Sequence, residues 1–210
     1  GIEFETAWMD RLTSGRNLRV VDTTQGIELL PMVEGHGHEE EGADHEEGLP
    51  DPHIWLSPSL VIVQAQTIHA ALVETDPAHR ATYDANLEEF LDELDTLDAE
   101  LRQTFSGLTP RRFMVFHPSW GYFARDYDLE MIPIEVGGQE PSAQALAALI
   151  AEAQEEGIRV VFAQPSLSSR TAETIAREIG GKVLLIDPLA EDWAGNLRRV
   201  AQTLAEVLGK

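Results

Sequence analysis

Between Pro77 and Gly107 the apolar side chains Tyr83, Leu87, Phe90, Leu91, Leu94, Leu97, Leu101 and Phe105 recur at spacings of three and four. That period places them on one stripe of an α-helix. Asp76 and Pro77 suit its first turn, and Gly107 and Pro110 bring it to an end. About 28 residues rising about 1.5 Å each give a rod of roughly 40 Å, longer than a small domain is wide. In a chain of 210 residues such a rod is expected to run the full length of the molecule and to link what lies on either side.

Beyond the rod the pattern changes. Runs of β-branched and aromatic residues at about 113–116, 130–134, 159–162 and 183–186 alternate with helical stretches at about 119–127, 143–156, 168–179 and 192–208. Strands separated by amphipathic helices indicate βαβ units and a parallel sheet covered on both faces, so residues 108–210 read as one α/β lobe. Ahead of the rod, 3–13 and 59–74 read as helices and 18–22 as a single strand. One strand is too little sheet for a matching lobe, so residues 1–76 read as a partial N-terminal lobe joined to the rest by the helix at 77–107. The chain opens on Gly1 with GIEFETAWMDRL, which reads as the interior of a helix. The expectation is a mature or trimmed chain whose natural beginning lies upstream.

The formal net charge is −22, and the seven carboxylates of residues 34–47 account for a minority of it. Such a surface repels nucleic acid and anionic membranes and attracts cations. Cysteine is absent, which excludes disulfides, thiolate zinc sites and cysteine nucleophiles. Any metal must therefore be held by nitrogen and oxygen. No apolar run approaches the roughly 18–20 residues of a membrane span.

Two kinds of candidate ligand remain. The run EGHGHEEEGADHEEG carries His36, His38 and His45 among acids and glycines, with no Lys or Arg, and reads as a surface loop over 34–48. The other candidates sit at stiff points. His53 follows Pro52 and opens HIWLSP, where Pro58 closes a short extended segment. In open α/β sheets ligands collect outside the carboxyl ends of the strands. Those ends bring His117 after FMVF and Asp187 after VLLI, each followed by a proline. His53, His117 and Asp187 could close on one zinc ion, which takes imidazole nitrogen and carboxylate oxygen in tetrahedral geometry. Each also has a plain structural reading: His53 as a turn cap, His117 as a strand-end residue, Asp187 as a helix-entry residue. His69 and His79 read as ordinary helix residues, and the Arg111–Arg112 pair as the solvated start of a strand.

Taken in order, the motifs resemble a known family over essentially the whole chain: the metal-receptor proteins of ABC transporters for zinc and manganese, the ZnuA/TroA type. DPHIWLSP is similar to that family's second ligand segment, and HPSWGYFARDYDLEMIPIEVGGQEPSA to its third. TDPAHRATYDANLEEFLDELDTLDAELR resembles its spine helix, and AQPSLSSRTAETIAREIGGKVLLIDPLAEDW its closing part. The resemblance implies a two-lobed α/β periplasmic metal-binding protein with parallel sheets flanked by helices and a long interdomain helix. It implies a monomer that captures Zn²⁺ and hands it to the membrane permease of an ABC transporter, with no reaction catalysed and no nucleic-acid partner. The location implied is periplasmic or otherwise extracytoplasmic, with a lipid anchor on the full-length protein left open.

Carried over by residue, His53 and His117 become zinc ligands and Asp187 a third, with His36, His38 and His45 as auxiliary loop ligands. Manganese-type members carry Glu where this chain has His117, and the softer imidazole favours zinc. The family's first histidine ligand lies upstream of the segment matching GIEFETAWMDRL, so a zinc affinity weaker than that of an intact relative is expected. Two competing readings stay open: a manganese or iron receptor of the same fold, and a zinc hydrolase. Against the hydrolase, no H-E-x-x-H spacing or other catalytic motif is present.

Overall fold

In the computed structural model, residues 9, 11–15, 18–33, 49–136, 138–165 and 170–209 are described. The four apolar runs become β1 (Arg112–Val115), β2 (Glu130–Pro133), β3 (Val160–Ala163) and β4 (Lys182–Leu185), each within one residue of its expected bounds. All pair in parallel, in the order β2-β1-β3-β4. The helices are α1 (Pro58–Thr75), α2 (Arg80–Phe105), α3 (Gly121–Asp126), α4 (Ala143–Glu155), α5 (Arg170–Glu178) and α6 (Trp193–Leu208). Among the described residues, no helix is long and apolar enough to cross a membrane.

Successive strand residues point to opposite faces, and two cores form accordingly. Phe113, Val115 and Phe162 pack beneath the last turns of α2, α3 and α6, against Leu97, Leu101, Phe105, Phe123 and Leu204. Met114, Phe116, Ile132 and Val161 pack on the other face against Leu149 and Ala153 of α4 and Ile175 of α5. Burial of each large side chain contributes about 1.5–3 kcal/mol, and β1 is covered on both sides.

The long helix is present with a shorter regular part than expected. A 3₁₀ turn at Pro77–His79 precedes α2, whose 26 residues span about 39 Å. Its stripe divides. Leu94, Leu97, Leu101 and Phe105 are buried, while Phe90 is 36% exposed and Tyr83, Leu87 and Leu91 are half-buried beside α1. Only Pro58 is buried in α1.

The strand expected at 18–22 does not form. Leu18 and Val20 are 54% and 57% exposed, and bridging in this part of the described chain is confined to Pro31 opposite Pro50. A strand is stable only with a partner to take its backbone N–H and C=O groups. The Arg111–Arg112 pair is also more than a solvated start. Arg112 pairs with Glu130 on the neighbouring strand and with Glu156 at 2.9 Å, and Arg111 donates to the carbonyls of Tyr127 and Asp128.

The segment before α1 is bonded to the sheet-bearing part. Ser57 caps α1 by accepting from the Leu60 N–H, and the hydroxyls of Ser57 and Ser59 donate to Asp126 Oδ2. The Tyr122 hydroxyl donates to the Asp51 carbonyl at 2.8 Å and accepts from the Leu30 N–H at 3.0 Å. Burial pushes its phenol pKa up, so it stays a donor. Trp55 Nε1 donates to the Pro188 carbonyl, and Trp193 Nε1 to the Trp55 carbonyl.

Candidate metal centre

His53 is buried at 8% exposure and enters a 3₁₀ turn at Ile54–Leu56. Pro52 stiffens its approach, and Asp51 fixes the rest. The Asp51 Oδ1 accepts the His53 backbone N–H at 2.9 Å, the local turn that aspartate side chains form with the residue two on. The same oxygen lies 2.7 Å from His53 Nδ1.

His117 lies just beyond β1, where Pro118 stops the strand. Its Nδ1 is bonded to Glu135, whose side chain is 12% exposed. The register explains this contact. Val115 is opposite Pro133, so two residues further on His117 comes beside Glu135, held there by the Glu135 N–H to Phe116 carbonyl bond of 3.0 Å. Each imidazole therefore has a carboxylate on Nδ1. A neutral ring that donates from Nδ1 keeps its lone pair on Nε2, the arrangement that orients histidine for metal coordination.

The two rings meet. Their centroids are 5.3 Å apart at an interplanar angle of 74°. Zinc–nitrogen bonds of about 2.0–2.1 Å in tetrahedral geometry put the centroids of two imidazoles on one ion about 5 Å apart. The separation suits a pair of ligands to a single Zn²⁺.

Asp187 stands apart from this pair. Two strand spacings of about 4.8 Å separate β4 from β1, with β3 between them. Its Oδ1 accepts the Leu189 N–H at 2.9 Å, and its carbonyl accepts from Asn196 Nδ2. Among the described residues no three His, Asp or Glu side chains gather closely enough to hold a metal ion. The Asp187 segment is nevertheless joined to the His53 segment through the Trp55 to Pro188 bond. His36, His38 and His45 lie outside the described residues. His69 and His79 are bonded to Asp84 at 2.7 Å and Asp76 at 2.6 Å.

Asp51 and Glu135 are the site residues that the sequence reading missed. Asp51 sits within the DPH triplet, where an acid two residues before a histidine is a readable signal. Glu135 is visible only once β1 and β2 are known to be neighbours.

The architecture is that of solved ZnuA structures. A structure of ZnuA matches with a TM-score of 0.89 and 48% identity, covering 99% of this chain and 76% of the other. A zinc-bound ZnuA deletion mutant matches with a TM-score of 0.90 and 47% identity, covering 100% and 77%. The family model "ZnuA: Zinc-uptake complex component A periplasmic" matches residues 1–207. The chain belongs to this family. The high-affinity zinc uptake system protein ZnuA of Bacillus subtilis is 34% identical over 172 residues, which cover 80% of this chain and 54% of that protein. The iron-binding protein YfeA of Yersinia pestis is 33% identical over 175 residues, 80% and 53% of the two chains. The chain spans about half the length of the curated relatives it matches.

Proposed function

We propose that this chain captures Zn²⁺ outside the cytoplasmic membrane and delivers it to the membrane permease of an ABC transporter, as a monomeric receptor that catalyses no reaction. The observation that carries the reading is the pair of imidazoles 5.3 Å apart, each with a carboxylate on Nδ1. Relatives named for zinc uptake support it. In this reading residues 1–76 and 108–210 flank the site, and the helix within 77–107 limits how far they separate.

His53 and His117 bind the ion through Nε2, and Asp187 is the proposed third ligand, drawn in along the Trp55–Pro188 connection. His36, His38 and His45 collect zinc weakly on their loop, since ordering a glycine-rich segment costs entropy that a rigid site avoids. Calorimetric zinc titration tests the assignment. Replacing both His53 and His117 with Ala is expected to abolish the tight site, and unchanged affinity would refute it. Deleting residues 35–48 is expected to remove only weak equivalents; loss of tight binding would put the loop in the primary site.

One relative is named for iron, which supports a second reading, a receptor of the same kind with iron as cargo, and manganese is the other ion to test. Competitive titration of zinc against both ions separates the two. Two imidazoles with one carboxylate predict that zinc wins over manganese and iron(II).

A further inference from the structure

We propose that Asp51 is a positioning residue whose buried charge serves the metal at the expense of the metal-free fold, setting zinc affinity through His53. This rests on the zinc reading above. Asp51 is 1% exposed, deeper than the Asp126 carboxylate, whose side chain is 6% exposed and paired with Arg125. Its Oδ1 is fully used by the two His53 bonds. Its Oδ2 has no hydrogen-bond partner among the described residues, although it is shielded from solvent. Among the described residues Asp51 pairs with His53 itself and with no Arg or Lys.

The chain makes room for this arrangement. A Cβ on residue 121 would lie 2.7 Å from Asp51 Oδ2, so a side chain in place of Gly121 at the start of α3 would have to displace the Asp51 carboxylate. The neighbouring Tyr122 hydroxyl bonds the Asp51 carbonyl and leaves the carboxylate alone. A buried carboxylate with one empty oxygen costs the fold free energy that ordinary packing would remove. What offsets it is a cation on the far side of the imidazole, at Nε2. Glu135 differs, because its side chain is 12% exposed and solvent shares its charge. The two histidines are thus unequal, and His53 is the one tuned by a desolvated charge.

The test is Asp51→Asn, which keeps the shape and the Oδ1 acceptor while removing the charge. Zinc affinity by calorimetry is expected to fall about 10- to 100-fold, the usual effect of losing a carboxylate behind a metal-bound histidine. The melting temperature of the metal-free variant is expected to hold or rise. A parallel fall in both would make Asp51 an ordinary turn residue and overturn the proposal, as would unchanged affinity. Nitrogen NMR of the metal-free wild-type protein gives a second measurement that needs no variant to fold. His53 is expected to carry its proton on Nδ1; a proton on Nε2 instead sinks the idea. The arms separate the two readings: if His53→Ala keeps tight zinc binding, the zinc site is misassigned. If His53→Ala loses it while Asp51→Asn does not, only the role of Asp51 falls.

Discussion

The sheet-bearing part of the molecule and the part ahead of α1 carry similar apolar runs and treat them differently. Phe113, Met114 and Val115 are each 1% exposed or less, whereas Leu18, Val20 and Val21 are 54%, 57% and 37% exposed. Residues 113–115 have strands on both sides and helices above and below. Among the described residues, 18–22 have no strand to pair with. A run of β-formers is therefore a request for a neighbour, and structure follows only where the chain supplies one. The long helix shows the same rule within one element. Its C-terminal half is buried in the core, and its N-terminal half shares a half-covered surface with α1.

The contrast can be broken by substitution. Phe162→Ala, in the core of β3, is expected to cost about 3–5 kcal/mol in denaturant unfolding, while Val20→Ala should stay within about 0.5 kcal/mol. Equal losses would mean that residues 18–22 pack in solution. Asp126→Ala removes the acceptor that joins Ser57 and Ser59 to α3, and about 1.5–3 kcal/mol should be lost, as for other hydrogen bonds to a buried charge. If zinc affinity survives that change, the His53 segment does not depend on the bond to the sheet-bearing part. Ser142→Ala, which removes the α4 cap oxygen that accepts the Ala145 N–H, should cost about 1 kcal/mol.

The smallest effect is a pH dependence. The Arg199 guanidinium, and after it the Gly195 N–H, hold Asp192 below its ordinary range at the start of α6. A depressed folded pKa means stability that is full above the unfolded value, about 3.9, and is lost as pH falls through the folded one. Asp192→Asn keeps a cap and cannot ionise, so acid titration of its stability should be flatter in that window. An identical curve would assign no stabilisation to the charge.

Much of the fold was legible because buried parallel strands read as continuous apolar runs and their helices as stripes. The closeness of His53 and His117 was legible only in part: prolines mark both as stiff points, while their meeting needs the fold. Glu135 was not, since its place beside His117 follows from a strand order that no local pattern states. The strand at 18–22 failed for the converse reason: propensity was present and a partner was not. Asp187 was placed at a strand end correctly, but its distance from His117 depends on β3 lying between them.

Trp55 turns this site into its own optical indicator. Its ring centroid is 5.2 Å from that of His53, its indole N–H is spent on Pro188, and its carbonyl is held by the Trp193 indole. If His53 binds zinc as proposed, an ion arriving there changes the electric field across an indole locked in one orientation, so intrinsic emission is expected to shift as zinc is added. Trp55→Phe should silence that signal while calorimetry still registers binding; a signal that persists would have to come from Trp8, Trp120 or Trp193. Metal arrival can then be followed in the unlabelled protein, at the speed of mixing.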